Sequence, residues 1–192
     1  MAPDADPPPS PNSMTHISPE QIPQALPNAT GDVFHLESAA IDQALDLSRM
    51  SPRRRIILPL HRTQDARVQR MLNFLQPDTY ITPHRHAADH AVESILLMRG
   101  GIDFLIFDDS GTPVQRIPLA AGEGNALVDI EPGVWHSFVV ARPDTVLFET
   151  KKGPYSRAQD KEFAPWAPAE DEPGALDWLH RCNQRLSGGR HA

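Results

Sequence analysis

Between residues 55 and 151 the chain is a succession of short runs that are wholly apolar or alternate between apolar and polar: RIILPL, VQRMLNFL, TYITPHRH, VESILLMR, IDFLIF, VQRIPL, NALVDI, SFVVA and TVLFETK. A period of two puts successive side chains on opposite faces of a strand, so these runs read as β-strands. Turn-forming residues separate them, in QPD, RGG, DDSG, AAGEG, EPG and RPD. FLIFDDSGTPVQRIPL reads as a hairpin. Nine short strands with little helix between them predict an antiparallel all-β sandwich or barrel. Helical spacing shows at the two ends. Ala40, Ile41, Ala44 and Leu45 recur on one face between Glu37 and Met50, closed by Ser51-Pro52, and Ala175, Trp178, Leu179, Cys182 and Leu186 do so ahead of Gly188-Gly189. GPYSRAQDKEFAPWAPAEDEPG, between the last strand and that second helix, is proline-rich and reads as a loop laid over the barrel.

Composition changes this picture mainly at the N-terminus. Eight of the 20 prolines fall before residue 28, where large apolar residues are few. Such a segment buries too little surface to offset its ordering entropy, so residues 1–30 are expected to be a disordered tail. Residues 31–170 hold enough Val, Ile, Leu and Phe for one core domain, and residues 171–192 are left as a C-terminal helix and tail. The net charge of −7 comes with no basic stripe, which argues against nucleic-acid binding, and Arg53-Arg54-Arg55 reads as a solvated loop. No apolar run approaches the roughly 20 residues of a membrane span, and the acidic start does not resemble a signal peptide. The single cysteine, Cys182, excludes an intrachain disulfide and lies on the apolar face of its helix, the place of a buried inert thiol. A cytoplasmic protein is expected.

The chemistry concentrates in TPHRHAADHAVESILLMRGG and IEPGVWHSFVV. On a strand, Tyr80, Thr82, His84 and His86 share a face, and histidines at i and i+2 can aim at one ion. Glu93 shares a face with Ile95 and Leu97. If that face is interior, its carboxylate needs a cation or a hydrogen-bond partner. His136 follows a Pro-Gly turn and shares a face with Phe138. Three imidazoles and a carboxylate around a divalent ion leave open positions and suit iron(II), manganese, nickel or zinc. Four further residues are substrate-binding candidates, each with a plainer reading beside it. Tyr80 would hydrogen-bond a substrate or pack its ring at the rim. Glu149 and Lys151 enter the pocket if Phe148 packs in an outer layer, and otherwise form a surface ion pair. Arg70 would meet an anionic substrate or serve structure, and which side of QRMLNFL is inner stays open. No phosphate-binding loop or nucleophile triad stands out, since AAGEGNA precedes a strand and not a helix.

His84-x-His86, Glu93 and Gly100 resemble the first cupin motif, and Gly133-x-x-His136 behind Pro132 resembles the second. Six residues separate His86 from Glu93 where cupins usually have three or four, so Asp89 and His90 stand beside Glu93 as candidates for the fourth ligand. Pro132 is also one place nearer the glycine than usual, and Val140 stands where many cupins have asparagine. VQRMLNFLQPDTYITPHRH, LIFDDSG, PGVWH, TVLFETKKGPY and DKEFAPWAP, in that order over residues 35–169, are similar to the WbuC family of cupin-fold metalloproteins. That resemblance implies a single cupin (double-stranded β-helix, jelly-roll) barrel with short N- and C-terminal helices. It also implies one divalent metal held by His84, His86, Glu93 and His136, and a small-molecule ligand of anionic or sugar-like character. The family's association with bacterial O-antigen gene clusters points to a metal-dependent enzyme of the isomerase or epimerase type, acting on a carbohydrate precursor of surface polysaccharide. A non-catalytic sugar- or metabolite-binding metallo-cupin, with the proline-rich tail as a partner-binding arm, and an iron-dependent oxygenase are the alternatives. A homodimer is the expected assembly, because an all-β chain has edges to cover.

Overall fold

Helix α1 (Ser38–Met50) buries one face, carrying Ala44, Leu45, Leu47 and Ser48, and stops at an extended Ser51. Pro52 accounts for the stop, since its ring disfavours helical backbone in the residue before it. These elements belong to a computed structural model that describes residues 21–156 and 160–187. Residues 1–20, most of the expected tail, lie outside the described residues.

Among the described residues ten strands follow α1: β1 (Arg55–Pro59), β2 (Val68–Leu75), β3 (His84–Arg85), β4 (Glu93–Arg99), β5 (Gly101–Phe107), β6 (Pro113–Ala120), β7 (Leu127–Ile130), β8 (Trp135–Val140), β9 (Thr145–Lys152) and β10 (Glu162–Phe163), before helix α2 (Ala175–Ser187). They form two five-stranded sheets in the orders β1-β2-β9-β4-β7 and β10-β3-β8-β5-β6. From β2 to β9 the pairing is that of one long hairpin rolled on itself. β5 pairs with β6, β4 with β7, β3 with β8 and β2 with β9, and the rolling adds the β4–β9 and β5–β8 ladders. This is the strand order of a jelly roll, and every pairing among the strands is antiparallel, as the alternating pattern predicts.

One apolar cluster fills the space between the sheets, with Ile95, Leu97, Val128, Ile130 and Leu147 from one sheet and Ile102, Phe104, Leu119, Phe138 and Val140 from the other. Outside the first sheet, α1 packs on Ile56, Leu72, Phe74 and Val146, with Phe148 against them. Outside the second, α2 and the segment before it cover Leu105, Phe107, Trp135 and Val139, and Cys182 is buried there. Double coverage explains why all six residues of β8 are buried and do not alternate.

Two local differences from the sequence reading follow from backbone hydrogen bonding. Of TYITPHRH only His84 and Arg85 are strand, because Pro83 has no N–H for a ladder. Its carbonyl instead accepts from Ala164 N–H at 2.9 Å, beside β10, a strand inside the stretch read as loop. At the inner end of the expected tail, Leu26 and Ala29 donate to the Ile57 and Pro59 carbonyls at 2.7 and 2.9 Å. These bonds occupy the otherwise open edge of β1. Among the described residues no helix is long and apolar enough to cross a membrane.

Candidate metal centre

His84 and His136 are direct partners across the β3–β8 pair, so both rings leave the same face of one sheet. His86 follows at the end of β3, and its carbonyl accepts from Gly133 N–H at 2.9 Å. Gly133 has φ +83, which a glycine adopts freely, and this lets the turn close onto β3. Glu93 opens β4 on the facing sheet. One donor atom from each of His84, His86, Glu93 and His136 lies within 4.8 Å of the others, and all four residues are buried. The long gap between His86 and Glu93 is an exposed turn, closed by Ala91 N–H on the Ala88 carbonyl at 2.9 Å. Asp89 and His90 sit exposed on that turn, away from the cluster.

The orientation of the rings is set from behind. His84 Nδ1 lies 3.0 Å from the Thr82 carbonyl, His136 Nδ1 2.9 Å from the Val134 carbonyl, and His86 Nδ1 against the Asp160 carbonyl. A carbonyl can only accept, so each Nδ1 carries a proton and Nε2 is the atom each ring turns to the cluster. Burial above all, then Lys161, holds the His84 imidazole well below its ordinary pKa, which keeps it neutral. Nε2 of His84 and of His136 have no hydrogen-bond partner among the described residues. His86 Nε2 and His136 Nε2 stand 3.1 and 3.2 Å from the same oxygen, Glu93 Oε2. Burial alone would raise the Glu93 carboxyl, but His136 and His86 outweigh it and hold the group well below the usual carboxylate range. Imidazole nitrogens and a carboxylate oxygen at such distances need positive charge between them, from a ring proton when no ion is bound, as the depressed Glu93 carboxyl reflects, or from a bound cation. A divalent cation supplies it, and backbone-anchored imidazoles with a carboxylate are a donor set such ions take.

An open cavity of about 1100 Å³ runs from His84, Glu93 and His136 along the inner face of the first sheet. Its wall follows the strand register. Glu93 faces Lys151, which faces Gln69, and one row further Ile95 faces Glu149, which faces Met71. Phe148 packs outward under α1, so Glu149 and Lys151 do enter the cavity. Lys151 Nζ is 2.7 Å from Asp160 and 3.9 Å from Glu149. Burial pulls the Lys151 ammonium down, but Glu149 and Asp160 outweigh it and hold it above its usual range. Glu149 accepts from Asn73 Nδ2 at 3.0 Å, and burial, then Glu93, pushes its carboxyl up. Lys161 also lines the cavity, and burial, then Lys151, lowers its ammonium.

The other two candidates are placed differently. Arg70 is exposed on the outer side of β2, opposite the buried Gln69, Met71 and Asn73. The α1-covered side of β2 is therefore the outer one, and Arg70 does not reach the cavity. Tyr80 borders the cavity, but its hydroxyl donates to the Pro168 carbonyl at 2.7 Å and its ring packs with Trp135 and Leu179. The sequence reading missed Asp160 and Lys161, which reach the cavity from an irregular stretch without periodicity. It also left His61 unassigned, a buried cavity residue whose Nε2 has no partner among the described residues.

No curated protein matches the sequence. A family described as "Domain of unknown function (DUF6016)" matches residues 36–119. Solved structures similar to the chain include a cupin 2 conserved barrel domain protein from Rhodopseudomonas palustris, 20% identical over 69% of this chain and 77% of that one, with a TM-score of 0.44. An oxalate oxidase in complex with the substrate analogue glycolate is 17% identical over 72% and 75% of the two chains, with a TM-score of 0.45. KdgF from Halomonas sp. is 15% identical over 53% and 80%, with a TM-score of 0.40. The strand order itself makes this chain an all-β jelly roll, with a helix on either side of the strands among the described residues.

Proposed function

We propose that this protein is a metallo-cupin that holds one divalent ion through His84, His86, Glu93 and His136 and acts on a small oxygenated anion in the adjoining cavity. The observation that carries the reading is the set of carbonyl-anchored imidazoles whose Nε2 atoms converge on Glu93 Oε2 at 3.1 and 3.2 Å. A bound divalent ion would polarise a carbonyl or hydroxyl oxygen of the ligand. The protein's own part is to orient and to hold protons. Glu149, with its carboxyl pushed up by burial and by Glu93 and its Oε2 fixed by Asn73, is the group placed to give or take a proton beside the ligand. The two ammonium groups and the ion against the carboxylates of Glu93 and Asp160 leave the site positive whether Glu149 is ionised or protonated, which favours an anionic ligand.

The finer assignment is to WbuC-like cupins, and through them to an isomerase or epimerase acting on a carbohydrate precursor of bacterial surface polysaccharide. It is supported by the blocks that carry the resemblance, since PHRH and PGVWH supply the histidines and DKEFAPWAP brings Asp160 and Lys161 into the cavity. The test is elemental analysis of the purified protein beside His84→Ala, His136→Ala and Glu93→Ala. Near-stoichiometric iron, manganese, nickel or zinc in the wild type, lost in both histidine variants, is the expected outcome. A wild type that takes up none of the four after reconstitution rules the reading out.

A further inference from the structure

Lys161 is the cavity ammonium without a hydrogen bond or ion pair among the described residues. Its neighbour in the wall, Lys151, is neutralised by Asp160 at 2.7 Å. Arg55, also in the cavity lining, is paired with Glu170 at 2.7 Å. Lys161 lines the same cavity as His84, Glu93 and His136. An ammonium beside a cation site, with no anion of its own, is a position that a ligand's negative group completes.

The donors around it narrow the group. Gln69 Nε2 is spent on the Gln64 and Ala66 carbonyls at 3.1 and 2.9 Å, and Asn73 Nδ2 on Glu149 at 3.0 Å. A phosphate dianion, with three oxygens to satisfy, would find one free ammonium there, whereas a carboxylate needs little more. We propose that Lys161 anchors the carboxylate of a small organic acid whose neighbouring hydroxyl or carbonyl oxygen faces the His84–His86–Glu93–His136 cluster. The assignment rests on the metal reading above and names its substrate class, a 2-hydroxy or 2-oxo acid or a larger acid that contains one.

The test uses cobalt(II)-loaded full-length protein, whose visible spectrum reports ligands entering the metal's surroundings. It is titrated separately with lactate, with 1,2-propanediol as lactate's uncharged counterpart, and with inorganic phosphate. Wild type is expected to bind lactate at least about tenfold more tightly than propanediol. Lys161→Met should abolish that preference and leave propanediol binding and cobalt content unchanged, while Lys161→Arg retains most of it. Equal binding of lactate and propanediol by wild type, or a full preference in Lys161→Met, overturns the assignment. Phosphate binding tighter than lactate, with the same dependence on Lys161, overturns the carboxylate in favour of a phosphate. A wild type that binds no cobalt removes the metal reading itself, and this proposal with it.

Discussion

Gly133 N–H donates to the His86 carbonyl at 2.9 Å, so the turn that launches His136 and the strand that carries His84 and His86 move as one piece. The other glycine of the two motifs, Gly100, works differently. Both have positive φ, +83 and +74, but a Cβ at Gly133 would meet nothing within 4 Å, whereas at Gly100 it would lie 2.2 Å from Thr145 Oγ1 and 2.8 Å from Thr145 Cα. Gly133→Ala should therefore cost only the left-handed strain, about 1 kcal/mol, and lower Tm by roughly 2–4 °C. Gly100→Ala adds a clash with backbone and should cost at least about 3 kcal/mol. Thermal melts of the two variants side by side check this, and equal losses would contradict it.

Glu93→Gln separates the metal reading from a simple hydrogen-bond cluster. A glutamine amide can donate to the bare Nε2 atoms that a carboxylate oxygen opposes at 3.1 and 3.2 Å. Under chelator the variant should be more stable than wild type by about 1 kcal/mol. With zinc or iron added, wild type should gain stability by mass action and overtake a variant that binds the ion poorly. The order of the two Tm values thus reverses on adding metal. A variant less stable than wild type under chelator would show that Glu93 is satisfied by protonated histidines.

The sequence carried the histidine pair, His136 and the face of Glu93 because successive strand side chains point to opposite faces, and a cluster built on strands inherits that geometry even in β8, where both faces are buried. It could not place Arg70, because both sides of β2 are apolar enough to be inner. Only α1, packing on Leu72 and Phe74, makes that side the outer one. Asp160 and Lys161 were illegible for a different reason. They sit on a stretch with no period, brought inward by long-range contacts such as Ala164 N–H on the Pro83 carbonyl. Tyr80 takes the plainer of its two readings, a ring packed at the cavity rim beside Leu179, because the chain leaves strand geometry before Pro83.

The Lys151–Asp160 pair is buried, with side chains 7% and 14% exposed, so breaking it should leave an uncompensated charge. Lys151→Met and Asp160→Asn are each expected to cost about 3 kcal/mol. The double variant should cost less than the two together by about 1–3 kcal/mol, since no charge is then stranded. Asp160→Asn keeps the backbone carbonyl that anchors His86 Nδ1 and should retain its metal. Additive losses in denaturant melts would mean that the pair is not coupled. Metal loss in Asp160→Asn would mean that the carboxylate, and not the carbonyl, matters to the centre.

Glu170 ties the segment that covers Trp135 and Leu179 to the start of β1. It accepts from Arg53 Nε and Arg55 Nη2, both at 2.7 Å, while Arg55 also donates to Thr79 Oγ1 and the Tyr80 carbonyl at 3.0 and 2.8 Å. Burial would raise the Glu170 carboxyl, but Arg53 and Arg55 outweigh it and hold the group below its ordinary value. A carboxylate depressed in the folded state stabilises it above its unfolded pKa of about 4.3 and loses that contribution as pH falls through the lower folded value. The Glu170 side chain is 38% exposed, so screening limits the effect. Glu170→Gln should cost about 1 kcal/mol at pH 7 after that discount. The gap between wild type and variant should be flat from neutral pH to near 5 and close below 4. Urea melts at pH 7, 5 and 3.5 measure it, and a gap that is undiminished at the lowest pH would show that the segment is held by packing and not by this ion pair.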